Sequence, residues 1–379
     1  MRYLPHACVV ALAAIHLASS VKAAEPASAP PQPRIEVAFV LDTTGSMSGL
    51  IEGAKQKIWA ITNEITRPPE GQPRPTVKIG LIGYRDRGDA YVTQRHDLTD
   101  DLDAIYGHLM AFKADGGGDT PESVNQALHE AVHQMSWSTD RDVLKVIFLV
   151  GDAPPHMDYE QDVRYPDTCQ AAVKKDLIIN TIQCGTQGDT TPVWQDIASK
   201  SEGKFVQIGQ TGDMVAVATP VDGELAKLNA EMASTVVPYG EAPQQREVMS
   251  KASVAALSPA PAAADRMLYM KEAEGGKAVS GRGDLVADVA DGSVKLDDLK
   301  AAELPEALKD ATPAEREAYV KEQAAKRAQL QTQIDALLVK RQAHIDAEKQ
   351  RLAETGKKDA FDEQVAQIIA EQREAKQKE

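Results

Sequence analysis

With 379 residues, 42% of them hydrophobic, the chain can bury a full core and has room for more than one domain. A net charge of −15 argues against nucleic acid as a partner, since a phosphate backbone selects basic surfaces. The same charge leaves cation binding open.

Residues 1–23 read as a secretory signal. Arg2 gives a charged start, Ala7 to Ala18 is mostly apolar, and Val21-Lys22-Ala23 offers small residues for cleavage. His6 and His16 interrupt the apolar part, which is too short for a good membrane span. An uncleaved anchor is the competing reading. The expected location is periplasmic or secreted, and no later stretch is apolar enough to form a transmembrane segment. Residues 24–33 form a Pro/Ala leader, expected to be disordered.

The first element of the fold is the apolar run that begins at Ile35, a buried strand ending at Asp42. Hydroxyls follow at Thr44 and Ser46, with Gly45 between them. A helical stripe starts at once: Met47, Leu50, Ile51, Ala54, Ile58, Ile61 and Ile65 share one face. A carboxylate and two hydroxyls thus sit between a buried strand and a helix N-terminus. Oxygen-only donors of this kind suit a hard cation such as Mg²⁺.

Residues 76–84 form a second strand, and Tyr91 to Arg95 a short edge strand. Thr99 with Asp100 and Asp101 opens a helix. The loop Gly116-Gly117-Gly118-Asp119-Thr120-Pro121-Glu122-Ser123 follows, with Pro121 suited to the first turn of the next helix. Residues 143–150 are a nearly unbroken apolar run, hence a central parallel strand, and Asp152 stands just beyond its end. Residues 177–184 and 204–208 give a fifth and a sixth strand, each preceded by a helix.

Asp42-x-Thr44-Gly45-Ser46 after a buried strand resembles the first motif of the von Willebrand factor A family. Thr120 resembles the second motif and Asp152 the third. The resemblance covers about 200 of the 379 residues and identifies an exported bacterial protein of this kind. It implies a metal-ion-dependent adhesion site holding Mg²⁺, or Mn²⁺ or Ca²⁺, on Asp42, Thr44, Ser46, Thr120 and Asp152. It also implies a protein ligand that offers an Asp or Glu side chain. Asp-Thr-Pro-Glu is similar to the corresponding loop in the A-like domains of integrin β-subunits, which makes Glu122 a rival to Thr120 and Asp119 a supporting residue.

The alternation of strands and helices independently predicts an α/β fold, a doubly wound, mostly parallel six-stranded sheet followed by an α-helical C-terminal tail. In the order 3-2-1-4-5-6 the first and fourth strands adjoin at the switch point, where Asp42 and Asp152 converge. The expected domain covers 34–238, an Ala/Pro-rich linker 239–265, short helices 266–311, and a long helix or helical hairpin 312–379. Thr312-Pro313-Ala314-Glu315 is a capping box for that helix. Leu338, Ile345 and Leu352 repeat every seven residues, but Arg341 and Glu348 take the companion positions, so any coiled coil is weak. Arg282-Gly283-Asp284 matches a cell-attachment tripeptide but precedes an apolar run that argues for packing.

After signal removal Cys169 and Cys184 remain, a pair expected to bridge in an oxidising compartment. Two readings compete with a non-enzymatic binding protein. One is a Mg²⁺-dependent phosphohydrolase, although such enzymes usually carry a second Asp where Thr44 stands. The other is a metal-free helical scaffold. The scattered histidines, including His129 and His133, offer no zinc set.

Overall fold

The computed structural model describes residues 32–379 apart from 70, 119, 213, 215, 216, 356–359, 377 and 379. The expected signal (1–23), nearly all of the leader (24–33) and Asp119 lie outside the described residues.

Six strands, β1 (Arg34–Asp42), β2 (Thr76–Tyr84), β3 (Thr93–Thr99), β4 (Val143–Gly151), β5 (Ile178–Cys184) and β6 (Phe205–Ile208), form one sheet in the order β3-β2-β1-β4-β5-β6. Only β3 runs antiparallel, at the edge beside β2. The two central strands are mostly apolar, interrupted by Glu36 in β1 and Lys145 in β4. β4 is buried along its whole length, and β1 is buried from Ile35 onward. β1 pairs in parallel with β2 on one side and β4 on the other, with Leu41 opposite Val150, so the strands end level.

Helices cover both faces. α3 (Val124–His133), α4 (Tyr165–Lys174) and α5 (Thr190–Lys200) pack on the face that carries Ala38, Val40, Ile147 and Leu149. The opposite face, with Val37, Phe39, Val146 and Phe148, takes α1 (Ser48–Ile65), α2 (Leu102–Ala111) and α6 (Asp222–Ala233). The Asp101 side chain caps α2 by accepting from the Ala104 amide at 3.1 Å.

Residues 239–265, expected as a linker, instead hold α7 (Ala242–Ala256) and most of α8 (Ala260–Glu272). Their prolines, Pro243 and Pro261, sit in the first turn, where the missing N–H costs nothing. The Ala-rich sequence then serves as a close-packing surface: Ala262 and Ala264 are fully buried against the same core as β1 and β4. α9 (Leu285–Ala290) and α10 (Glu306–Lys309) build a smaller cluster with Val237, Tyr239 and Val320. Asp284 of the attachment-like tripeptide is buried there and paired in two-pronged fashion with Arg327, at 2.6 and 3.0 Å.

α11 (Pro313–Thr355) opens at the expected capping box, with the Thr312 amide donating to Glu315 at 2.7 Å. It lies against α6, α8 and α9, whereas α12 (Ala360–Lys376) lies against α1. The first part of the heptad seam therefore meets the domain's own helices. Ile334 and Leu338 enter the core beside Val365, Ile368 and Ile369. Arg341, which spoils the heptad, reaches Asp222 at 2.9 Å and Asp265 at 2.6 Å in a buried cluster.

The expected Cys169–Cys184 disulfide is absent. Cys169 of α4 packs on one face of the sheet, while Cys184 shares the parity of Ile182 and points to the other. Burial pushes the Cys169 thiol up to about 12, and it donates to the Ile197 carbonyl at 3.7 Å.

Among the described residues, no helix is long and apolar enough to cross a membrane.

Candidate functional site

The site lies where β1 and β4 end side by side. Asp42, the last residue of β1, is fully buried. Its Oδ1 accepts from the Thr44 amide at 2.8 Å and the Thr44 hydroxyl at 2.6 Å. Thr44 Oγ1 lies 3.2 Å from Ser46 Oγ, so carboxylate and hydroxyls form one connected arc. Ser46 is exposed at the mouth. Thr43, between them, turns the other way: its hydroxyl donates to the Tyr84 carbonyl at 2.9 Å, pinning the loop to β2.

Asp42 Oδ2 has no hydrogen-bond partner. Burial pushes this carboxyl up to about 7 against the pull of the Thr44 hydrogen bond, and the charge of Asp152 adds to the rise. Asp152 follows Gly151, the end of β4, and is half-buried. A Cβ at Gly151 would collide with Asp42 and Tyr84, so this glycine lets β4 approach the carboxylate.

The glycine loop supplies the third side. Gly45 N donates to the Gly116 carbonyl at 3.2 Å. Gly117, at φ +76°, passes so close that a Cβ there would lie 3.0 Å from Thr44 Cβ and 3.4 Å from Glu122 Oε1. The loop therefore brings Glu122 in beside Thr44. Glu122 is 3% exposed, and its Oε2 has no partner. Burial pushes its carboxyl up to about 9, with Asp42, Asp86, Asp89 and Asp152 adding to the rise. Thr120, by contrast, is exposed. The backbone fixes Glu122 firmly: its amide donates to the Pro154 carbonyl at 2.9 Å, and its carbonyl accepts from His156 N at 3.0 Å. The segment carrying Glu122 is thus clipped to the loop that carries Asp152.

Asp86 holds the next layer. It is buried and accepts from the Ser123 hydroxyl and the Tyr159 hydroxyl, both at 2.9 Å. His156 Nε2 stands 3.3 Å from it, and the His156 ring stacks on Tyr159 at 4.0 Å.

The expected residues Asp42, Thr44, Ser46 and Asp152 lie at or just beyond the ends of β1 and β4, with Glu122 brought among them. Among the described residues, no three His, Cys, Asp or Glu side chains converge as a metal cluster by themselves. A cation would therefore draw on the hydroxyls as well. The donor chemistry fits a hard divalent ion: oxygen throughout, with two buried carboxylates each presenting an unpartnered oxygen. Sequence reasoning missed Gln210, which lies just past β6 and whose Nε2 donates to Asp152 Oδ2 at 2.6 Å. Its signal was positional: in such a sheet the loops beyond the carboxyl ends of the parallel strands lie on the ligand side.

Strand order and the helices on both faces define a doubly wound α/β fold with oxygen donors at the switch point. Residues 36–211 match the family described as von Willebrand factor A domain. Domains of that family are usually non-catalytic binding modules and typically bind proteins. An ariadne-like RING finger protein of Acanthamoeba polyphaga mimivirus is 23% identical over 209 residues, covering 49% of this chain and 19% of that protein. Von Willebrand factor A domain-containing protein 7 of Rattus norvegicus is 33% identical over 123 residues, 32% of this chain and 12% of that protein. The chain thus spans less than a fifth of the length of these curated relatives. Among solved structures, proximal thread matrix protein 1 from the mussel byssus, with a zinc-occupied MIDAS motif, matches at a TM-score of 0.35. It is 18% identical, over 47% of this chain and 42% of that one.

Proposed function

We propose that this chain is an exported, cation-dependent protein-binding module. Its crevice takes Mg²⁺, or Mn²⁺ or Ca²⁺, on Asp42, Thr44, Ser46 and Asp152, with Glu122 rather than Thr120 as the second-motif donor. The observation that carries this reading is the pair of buried, unpartnered carboxylate oxygens, Asp42 Oδ2 and Glu122 Oε2. A protein gains nothing from burying such groups unless something else satisfies them. When bound, the cation would supply that positive charge and an electrophilic site for an acidic side chain of a partner protein.

The chain's own residues do the rest. Thr44 holds Asp42 by its amide and hydroxyl, which fixes the direction of the free oxygen. The tie between Glu122 and the 154–156 backbone keeps the second and third motifs in register. Gly116 and Gly117 are exposed, leaving the mouth open to a partner. The expectation of export rests on the sequence of residues 1–23, and N-terminal sequencing of mature protein tests it: a start near Ala24 supports it, retention of Met1 refutes it.

Titration calorimetry with Mg²⁺ and Mn²⁺ tests the site. Binding is expected for the wild type, to be lost in Asp42→Ala and weakened more by Glu122→Gln than by Thr120→Ala. No binding by the wild type would leave the metal-free scaffold reading in its place. Turnover of generic phosphoesters with Mg²⁺ would favour the hydrolase.

A further inference from the structure

We infer that Gln210 is a positioning residue for the cation, joining the two halves of the donor set. This rests on the proposed metal site. The Nε2 amino group has two hydrogens. One goes to Asp152 Oδ2 at 2.6 Å, and the other points to the backbone carbonyl of Ser46 at 3.4 Å. Asp152 belongs to the end of β4, and Ser46 to the turn between β1 and α1. One side chain from the loop after β6 thus ties together the segments that carry the third and first motifs.

The amide is seated. Gly185, at φ +75° just past β5, lies directly beneath it, and a Cβ at that position would collide with Gln210 Oε1. Met47 Sδ lies 4.0 Å from Nε2 on the other side. The loop is also packed onto α1: a Cβ at Gly49 would meet Thr211, and one at Gly53 would meet Met214. Gln210 is therefore held from below and from the side while its outer surface is exposed.

The chemical consequence follows from which oxygen is occupied. With Oδ2 held by Gln210, Asp152 has Oδ1 left for a cation, and rotation about its terminal bond is restrained. Without the amide, Asp152 faces Asp42 with nothing to fix its orientation. Groups that orient a metal-ligating carboxylate in this way typically contribute tenfold or more to affinity. The contribution should depend on the ion. Mg²⁺ demands near-ideal octahedral geometry, whereas Ca²⁺ accepts flexible arrangements. A freely turning Asp152 should therefore harm Mg²⁺ binding more than Ca²⁺ binding.

The test compares wild type with Gln210→Met, which keeps the length and loses the N–H donors. Each is titrated with Mg²⁺ and with Ca²⁺ by calorimetry, and each is melted in chelator. The expected result is a loss of about tenfold in Mg²⁺ affinity, a smaller loss for Ca²⁺, and an unchanged melting temperature in chelator. A merely structural role would lower the melting temperature and leave the Mg²⁺-to-Ca²⁺ ratio alone, which would overturn the assignment. So would unchanged affinities against a wild type that binds. If the wild type binds neither ion, the metal site itself fails, and Gln210's role fails with it.

Discussion

The chain buries carboxylates in two ways. Beneath the helices, Asp103 meets Arg266 through two bonds of 2.7 Å, and both are essentially inaccessible. Asn229, the Ala278 carbonyl and the Ser280 amide complete that cluster. Asp222 and Asp265 meet Arg341 likewise, and Asp284 meets Arg327. At the strand ends, Asp42 and Glu122 are buried as deeply, yet each keeps an oxygen with no partner. The first kind specifies how the later helices dock. The second kind has no ion pair among the described residues, and the proposed cation site rests on that difference.

Removing an acid from each region should separate the two most strongly. Asp103→Ala strands the Arg266 guanidinium in the core and should cost about 3–5 kcal/mol. Asp42→Asn, measured in chelator, should cost nothing or stabilise slightly, because it relieves a buried charge. Urea unfolding of both variants checks this; equal destabilisation would erase the distinction.

The next largest effect tests whether the helices beyond Pro238 belong to the core. Ile334 on α11 is fully buried with sheet and α8 residues. Ile334→Ala should cost about 2–5 kcal/mol, in a single transition that also reports the sheet. A separate early transition would mean that α11 is an independent tail.

Much of the sheet and the first and third motifs was legible because their signals are local. The apolar runs of β1 and β4 are short and nearly unbroken, and Asp42 and Asp152 stand at or just beyond their ends. What was hidden depended on distant contacts. Arg341 looks like a fault in a coiled coil until Asp222 and Asp265 are placed opposite it. The Ala/Pro stretch before Asp265 reads as a linker by composition, yet its prolines begin helices and its alanines pack. Glu122 and Thr120 are two residues apart, and only the path of the glycine loop tells which is buried. Gln210 has no motif at all. The cysteines were misread by ignoring strand parity, which puts Cys184 on the face away from Cys169.

Smaller effects follow. Burial pushes Glu274 up to about 7 from 4.5, against the opposing charge of Lys277, with Asp100, Asp103 and Asp101 adding to the rise. A carboxyl raised in the folded state binds its proton more tightly there. Its contribution to stability is therefore full below about pH 4.5 and lost as the pH rises through about 7. Glu274→Gln should flatten that part of the stability profile in urea titrations; an unchanged profile would contradict the assignment. The smallest effect expected is none: with no disulfide between Cys169 and Cys184, a reductant should leave the melting temperature where it was. A drop would show that a bridge forms after all.

The most direct test of the distinction between satisfied and unsatisfied buried acids is the melting temperature of the wild type with Mg²⁺ and with chelator. A ligand at one hundred times its dissociation constant stabilises by about 2.7 kcal/mol. A clear rise with saturating Mg²⁺ is expected, one that disappears in Asp42→Asn and persists in Asp140→Asn, an exposed acid at the opposite end of the sheet. Identical wild-type melting with Mg²⁺ and chelator, or the same Mg²⁺-dependent rise in Asp42→Asn, would contradict it.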